Sequence, residues 1–288
     1  MNSKKKFSAL ISAEELSVHL GDPDWAIVDS RFTLADPGAG RRDYLEGHIP
    51  GAVYAHLDKD LCGPIIPGET GRHPLPANPD FVQTLSDWGI DSAVQVVAYD
   101  GVGGGMAAAR LWWMCRWLGH EAVCVLNGGW QAWKGGGYPV RSGQETRPAR
   151  TFLTDLQPTL LARTEDVESI RLDPDLLLVD CRAADRYHGL NETIDPIAGH
   201  IPGAVSAPYL ENLDSEGKFL PPGELRFRLR TLLGNIPSRK AVFYCGSGVT
   251  AALSVLAVAY AGLGDAKLYS GSWSEWITDP DHPVSTGD

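Results

Sequence analysis

Cys245 stands where an apolar run, Lys240-Ala241-Val242-Phe243-Tyr244, meets a short loop, Gly246-Ser247-Gly248-Val249-Thr250. An Ala/Leu/Val-rich stretch follows from Ala252 to Gly262. This pattern predicts a buried strand, a tight glycine loop and the first turn of a helix. The N–H groups that open a helix have no intrahelical acceptor. Together with the helix dipole they favour a thiolate over a thiol. Cys245 is therefore read as a nucleophile in an anion cradle. The competing reading is a small core hydrophobe, the usual fate of a free cysteine. The two loop glycines argue against it, because they let backbone amides converge on one point. Cys62 in a Gly/Pro loop, Cys115 and Cys124 in apolar runs and Cys181 after a strand lack such a setting and read as structural. No C-x-x-C pair and no Cys/His cluster has zinc-ligand spacing.

The elements that must hold this loop occur twice. Val28-Asp29-Ser30-Arg31 returns as Val179-Asp180-Cys181-Arg182, and Gly47-His48-Ile49-Pro50-Gly51-Ala52-Val53 as Gly199-His200-Ile201-Pro202-Gly203-Ala204-Val205. Val96-Val97-Ala98-Tyr99-Asp100-Gly101 returns as Ala241-Val242-Phe243-Tyr244-Cys245-Gly246, and the pair Trp130/Trp133 as Trp273/Trp276. The same order at a nearly constant offset marks two copies of one domain. In the first copy Ala26 to Ser30, Val94 to Tyr99 and Ala122 to Leu126 read as strands. Ala13 to Leu20, Asn78 to Trp88 and Met106 to Leu118 read as helices. Alternation of the two predicts an α/β fold with a small parallel sheet flanked by helices in each domain. Ligands of such sheets sit beyond the carboxyl ends of the strands, where Cys245 falls. The expected boundaries are a first domain over 8–140, a polar linker over 141–157 and a second domain over 158–288. The first copy has Asp100 at the Cys245 position, and its Gly101–Gly105 loop is a poor match to a dinucleotide fingerprint.

Composition narrows the function. The chain has 288 residues, 43% of them apolar, enough for two cores. Its net charge of −11, with no basic run beyond Lys4-Lys5-Lys6, argues against nucleic acid as a partner. No apolar stretch approaches membrane-spanning length, and Phe7-Ser8-Ala9-Leu10-Ile11 is too short for a signal peptide. Five scattered cysteines suggest a reducing compartment, so a cytoplasmic protein is expected.

The doubled unit, the two Gly-His-Ile-Pro-Gly segments and the Cys-Gly-Ser-Gly-Val-Thr-Ala loop resemble the rhodanese-type sulfurtransferases over roughly Ser8 to Val284. Within that family the loop is most similar to the 3-mercaptopyruvate branch. The resemblance implies two tandem rhodanese-like domains, an inactive first and a catalytic second, which suits Asp100 opposite Cys245. It implies that Cys245 takes sulfur from a small-molecule donor as a persulfide, with no metal or other cofactor needed, and hands it to a thiol such as thioredoxin, to a small thiol or to cyanide. Relatives that prefer thiosulfate carry two basic residues after the cysteine. Gly246 and Ser247 stand there instead, which favours 3-mercaptopyruvate, with thiosulfate the alternative donor.

Roles carry over position by position. Ser247 matches a loop serine that relays a proton, with Asp58 and His73 as its partners; an exposed carboxylate and a loop histidine are the plainer readings. Arg186 matches the arginine that grips the donor's anionic end, with a fork that suits a carboxylate. The amides of Gly246, Gly248, Val249 and Thr250 are expected to hold the sulfur end. A second arginine is expected shortly before the Gly-His segment, but none lies between Arg186 and His200; Arg72 is one possible substitute. Arg31 and Arg182 occur in both copies and read as structural. A cysteine phosphatase would need an arginine at position 251, which is Ala. A non-catalytic binding module, the remaining alternative, is disfavoured by the intact cysteine.

Overall fold

Short apolar strands alternating with helices build two five-stranded parallel sheets, one in each of two units. The structure, a computed structural model, describes residues 6–101 and 107–287. The first unit runs up to Cys62 and adds Pro76–Gln157 and Ser215–Phe219; the second comprises Gly63–Leu75, Pro158–Asp214 and the chain from Leu220.

In the first unit β1 (Leu10–Ile11), α1 (Ala13–Ser17), β2 (Trp25–Asp29), α2 (Ala39–Glu46), β3 (Val53–Tyr54) and α3 (Leu57–Asp60) come first. They are followed by α4 (Asn78–Asp87), β4 (Gln95–Tyr99), α5 (Ala108–Trp117), β5 (Val123–Leu126) and α6 (Gly129–Gly135). The strand order is β1-β5-β4-β2-β3. The second unit repeats the plan with β6 (Leu161–Ala162), α7 (Thr164–Ile170), β7 (Leu177–Asp180), α8 (Ala184–Tyr187) and β8 (Ala204–Ser206). It continues with α9 (Pro222–Leu233), β9 (Ala241–Tyr244), α10 (Ala251–Tyr260), β10 (Lys267–Tyr269) and α11 (Ser272–Trp276), in the order β6-β10-β9-β7-β8. The predicted strands and helices of the first copy are found, with their described ends within three residues of the expected ones. The Met106 start and the Val102–Gly105 loop lie outside the described residues.

The repeated motifs form one latch, built twice. Arg31 donates through Nε (3.0 Å) and Nη2 (2.6 Å) to Asp29, and through Nη2 to the Gly47 carbonyl at 2.6 Å. Arg182 does the same to Asp180 (3.1 and 2.6 Å) and to Gly199 (2.6 Å). Each guanidinium lies over a tryptophan, Trp130 at 4.6 Å and Trp273 at 4.7 Å. The Ile49 and Ile201 amides each donate to a buried tyrosine hydroxyl, Tyr99 and Tyr244, both at 3.2 Å. The latch ties the strand end, the Gly-His turn and the tryptophan helix together, so its residues are structural in both units. Trp133 and Trp276 are fully buried in the two cores.

The polar stretch 141–157, expected as a linker, is bound along the first unit. Arg147 donates to the Trp25 (2.8 Å), Pro23 (2.9 Å) and Trp88 (3.1 Å) carbonyls, and the Phe152 amide donates to Ser86 Oγ at 3.1 Å. A segment without periodicity cannot satisfy its polar groups internally, so it uses the helix and strand ends it crosses.

Candidate active site

Cys245 follows the last residue of β9 and is 2% exposed. Its amide donates to Ser272 Oγ at 3.0 Å, while the Trp273 and Ser274 amides of α11 donate to the Cys245 and Gly246 carbonyls at 3.0 and 2.9 Å. Ser272 has φ of 58°, a left-handed value that a serine adopts only under compensation. The compensation is its hydroxyl, which also donates to the Tyr269 carbonyl at 2.8 Å. Gly248 has φ of +71°, and a methyl group on it would lie 2.1 Å from the Ser270 carbonyl oxygen, so only glycine fits. The loop from Gly246 to Val249 is buried, and α10 begins at Ala251 with no side-chain cap. Among the described residues, the amides of Gly246, Val249, Thr250 and Ala251 reach no protein acceptor. Buried N–H groups left in this way call for an anion or water.

His73 Nδ1 lies 2.7 Å from Ser247 Oγ, and both side chains are buried. The strip that carries His73 belongs to the second unit. The Arg72 amide donates to Ser274 Oγ at 3.0 Å, and Gly71 fits so tightly that a methyl group there would lie 2.8 Å from the Gly271 carbonyl oxygen. Asp58 is an exposed residue of α3 in the first unit.

Arg186, at 16% side-chain exposure, forks onto Glu192 (Nε 3.0 Å, Nη2 2.9 Å) and donates to Asp195 Oδ2 at 3.0 Å. The other Asp195 oxygen holds Arg72 Nη1. Burial raises the Glu192 carboxyl, but the amides of Asp195 and Ile194 and the Arg186 fork outweigh it and hold the group below its ordinary range. A methyl group on Gly246 would lie 2.9 Å from Arg72 Nη2 and 3.7 Å from both Arg186 Nη atoms. The loop is neutral in sequence, yet two guanidinium groups stand over its first residue. Their carboxylate partners went unnoticed in sequence because acidic residues six and nine positions after Arg186 follow no helical spacing.

The first unit has a carboxyl group at the corresponding place. Asp100 is fully buried, and its carboxylate accepts from the Ala108 amide at the start of α5, 3.2 Å away. Its carbonyl accepts from the Trp130 amide at 2.8 Å, as that of Cys245 does from Trp273. Burial pushes the Cys115, Cys124 and Cys181 thiols up, so these three remain protonated.

A profile of the rhodanese-like domain matches residues 12–135 and 164–279. The chain belongs to the rhodanese family of sulfurtransferases. It is 45% identical to the probable 3-mercaptopyruvate sulfurtransferase of Pseudomonas aeruginosa, across 97% of this chain and 98% of that protein. The thiosulfate/3-mercaptopyruvate sulfurtransferase 1 of Arabidopsis thaliana is 34% identical over 96% of this chain and 78% of its own length. The solved 3-mercaptopyruvate sulfurtransferase of Leishmania major superposes with a TM-score of 0.83 at 33% identity, covering 95% of this chain and 75% of that one. This rhodanese-family chain thus has the two-domain plan its repeats predict, and no described helix is long and apolar enough to cross a membrane.

Proposed function

We propose that this rhodanese-family sulfurtransferase takes sulfur from 3-mercaptopyruvate, with Cys245 in the second domain (158–288) as nucleophile and the first domain (8–140) inactive. The observation that carries the reading is Cys245 on a buried loop where, among the described residues, the Gly246 and Val249 amides reach no protein acceptor, with the guanidinium groups of Arg72 and Arg186 beside Gly246. The Cys245 thiolate attacks the donor sulfur, the carbon–sulfur bond breaks, and a persulfide forms on Cys245. The electron pair left on carbon takes a proton and yields pyruvate. The donor thiol must lose one proton and the product carbon must gain one, and the Ser247–His73 pair can carry it. The amides of Gly246, Gly248, Val249 and Thr250 stabilise the charge on sulfur before and after transfer. A thiol such as thioredoxin, a small thiol or cyanide then attacks the outer sulfur and frees Cys245. Five unpaired cysteines fit a cytoplasmic protein.

The test is to incubate the protein with 3-mercaptopyruvate and weigh it. A gain of one sulfur atom, removed by dithiothreitol, supports the proposal. No gain with mercaptopyruvate but a gain with thiosulfate reassigns the donor, and no gain with either overturns the activity.

A further inference from the structure

Two carboxylates consume one edge of each guanidinium above Cys245. Arg186 spends Nε and Nη2 on Glu192 and Asp195, and Arg72 spends Nη1 on Asp195. Among the described residues, Arg186 Nη1 and Arg72 Nη2 hold no other hydrogen bond, and Arg72 Nε is buried without a partner. The atoms left over include those nearest Gly246. Among the described residues Asp195 is the one carboxylate paired with both arginines, and its side chain is only 2% exposed. It lies 123 residues from Arg72 in sequence, so the pairing is made by the fold alone.

The charges around this point cancel. Arg72, Arg186 and Arg182, which also reaches Glu192 at 3.5 Å, contribute three positive charges, and Glu192, Asp195 and the Asp180 paired with Arg182 contribute three negative ones. A cluster of zero net charge recognises a donor by aimed N–H groups, with little long-range attraction for a dianion. Resting on the function proposed above, we infer that Asp195 is the specificity-determining residue of the site: it locks Arg72 and Arg186 into a paired clamp for a single carboxylate and withholds the extra positive charge that a dianionic donor would use. Arg72 is thereby a substrate-binding residue and Asp195 a positioning residue that acts through it.

The geometry orders the donor as well. A carboxylate held at the clamp would sit beside Gly246, and the sulfur of 3-mercaptopyruvate lies three bonds from its carboxylate carbon, a span that can reach from the clamp toward Cys245. In thiosulfate the transferable sulfur is bonded directly to the anionic SO3 head, so the same separation cannot be made.

The experiment measures kcat/KM for 3-mercaptopyruvate and for thiosulfate in the wild type, Asp195→Asn, Asp195→Glu and Arg72→Gln. The ratio of the two donors is independent of how much of each preparation is folded. Asp195→Asn adds one net positive charge and loosens Arg72, so the thiosulfate-to-mercaptopyruvate ratio is expected to rise roughly tenfold, the scale of one charge at a screened site. Asp195→Glu keeps the charge and should return most of that change. Arg72→Gln should raise KM for mercaptopyruvate about tenfold with kcat nearly kept, the signature of lost uniform binding. An unchanged donor ratio in Asp195→Asn, in a preparation whose wild type turns over mercaptopyruvate, overturns the inference. If Asp195→Asn does not fold, an unchanged KM in Arg72→Gln overturns it instead. A wild type inert toward mercaptopyruvate would defeat the donor assignment itself, a distinct result.

Discussion

His73 Nδ1 and Ser247 Oγ are 2.7 Å apart although 174 residues separate them in the chain. The contact joins a residue from the strip 63–75 to the loop that follows Cys245, and both groups are buried. A histidine there can take a proton through the serine hydroxyl and give it back later in the cycle.

This pairing separates the two donors. Mercaptopyruvate brings a thiol proton and its product carbon needs one, whereas thiosulfate brings none. His73→Gln and Ser247→Ala are each expected to lower kcat with mercaptopyruvate about a hundredfold, a usual contribution of general acid–base catalysis. Thiosulfate turnover should fall far less. The double variant should be little worse than either single one, because residues that act as a unit are not additive. Steady-state kinetics with both donors checks this, and equal losses for the two donors would refute the relay.

Cys181 and Cys245 make a second comparison. The Cys181 amide donates to the Tyr244 carbonyl at 2.8 Å, so the two thiols follow neighbouring strands. Burial keeps Cys181 protonated. Cys245→Ser should abolish turnover and the mass gain, whereas Cys181→Ser should retain most of both. Persulfide formed on the Cys245→Ser protein would contradict the nucleophile assignment.

Ser272 holds its left-handed backbone through one hydroxyl. Ser272→Ala keeps the unfavourable φ and loses the bonds to Cys245 and Tyr269, so it should destabilise by about 2–3 kcal/mol and lower kcat. Ser272→Gly relieves the backbone and loses the same bonds, and should recover about 1 kcal/mol of that stability. Gly129 occupies the same place in the first unit with φ of 55°. Urea denaturation of the pair checks the order; Ala as stable as Gly would show that the backbone is not strained.

Acid sensitivity follows from His200 and His120, both held below their ordinary range by burial. His200 stacks on Tyr187 with ring centroids 3.7 Å apart, and its Nδ1 meets the Tyr187 carbonyl at 2.9 Å. The unfolded histidine takes up a proton near pH 6.5, the folded one only at lower pH. Above about pH 7.5 both states are neutral and stability is full. As pH falls through 6.5 the unfolded state gains protons that the folded state lacks, so stability declines. Denaturant midpoints at pH 8 and 5.5 should show the loss, and it should shrink in His200→Gln. A loss of the same size in that variant would move the effect elsewhere.

Much of this was legible from residues close together in the chain. A strand, a glycine loop and a helix opening are local patterns, so the place of Cys245 beyond a parallel strand follows from types and spacing alone. The repeats likewise state the two-unit plan, since Asp29/Arg31 and Asp180/Arg182 recur with the same neighbours and build the same latch. The bound course of 141–157 was not legible, because polar composition marks a segment as irregular without saying what its backbone groups meet.

The chain by itself determined the setting of Cys245 and of its counterpart Asp100, because both depend on one strand running into one helix. Only tertiary structure decided the charge above that loop. Gly246 and Ser247 are neutral wherever they are read, but Arg72, Arg186, Glu192 and Asp195 meet there through contacts that no periodicity encodes. Electrostatic energy depends on distance in space, and the fold sets that distance.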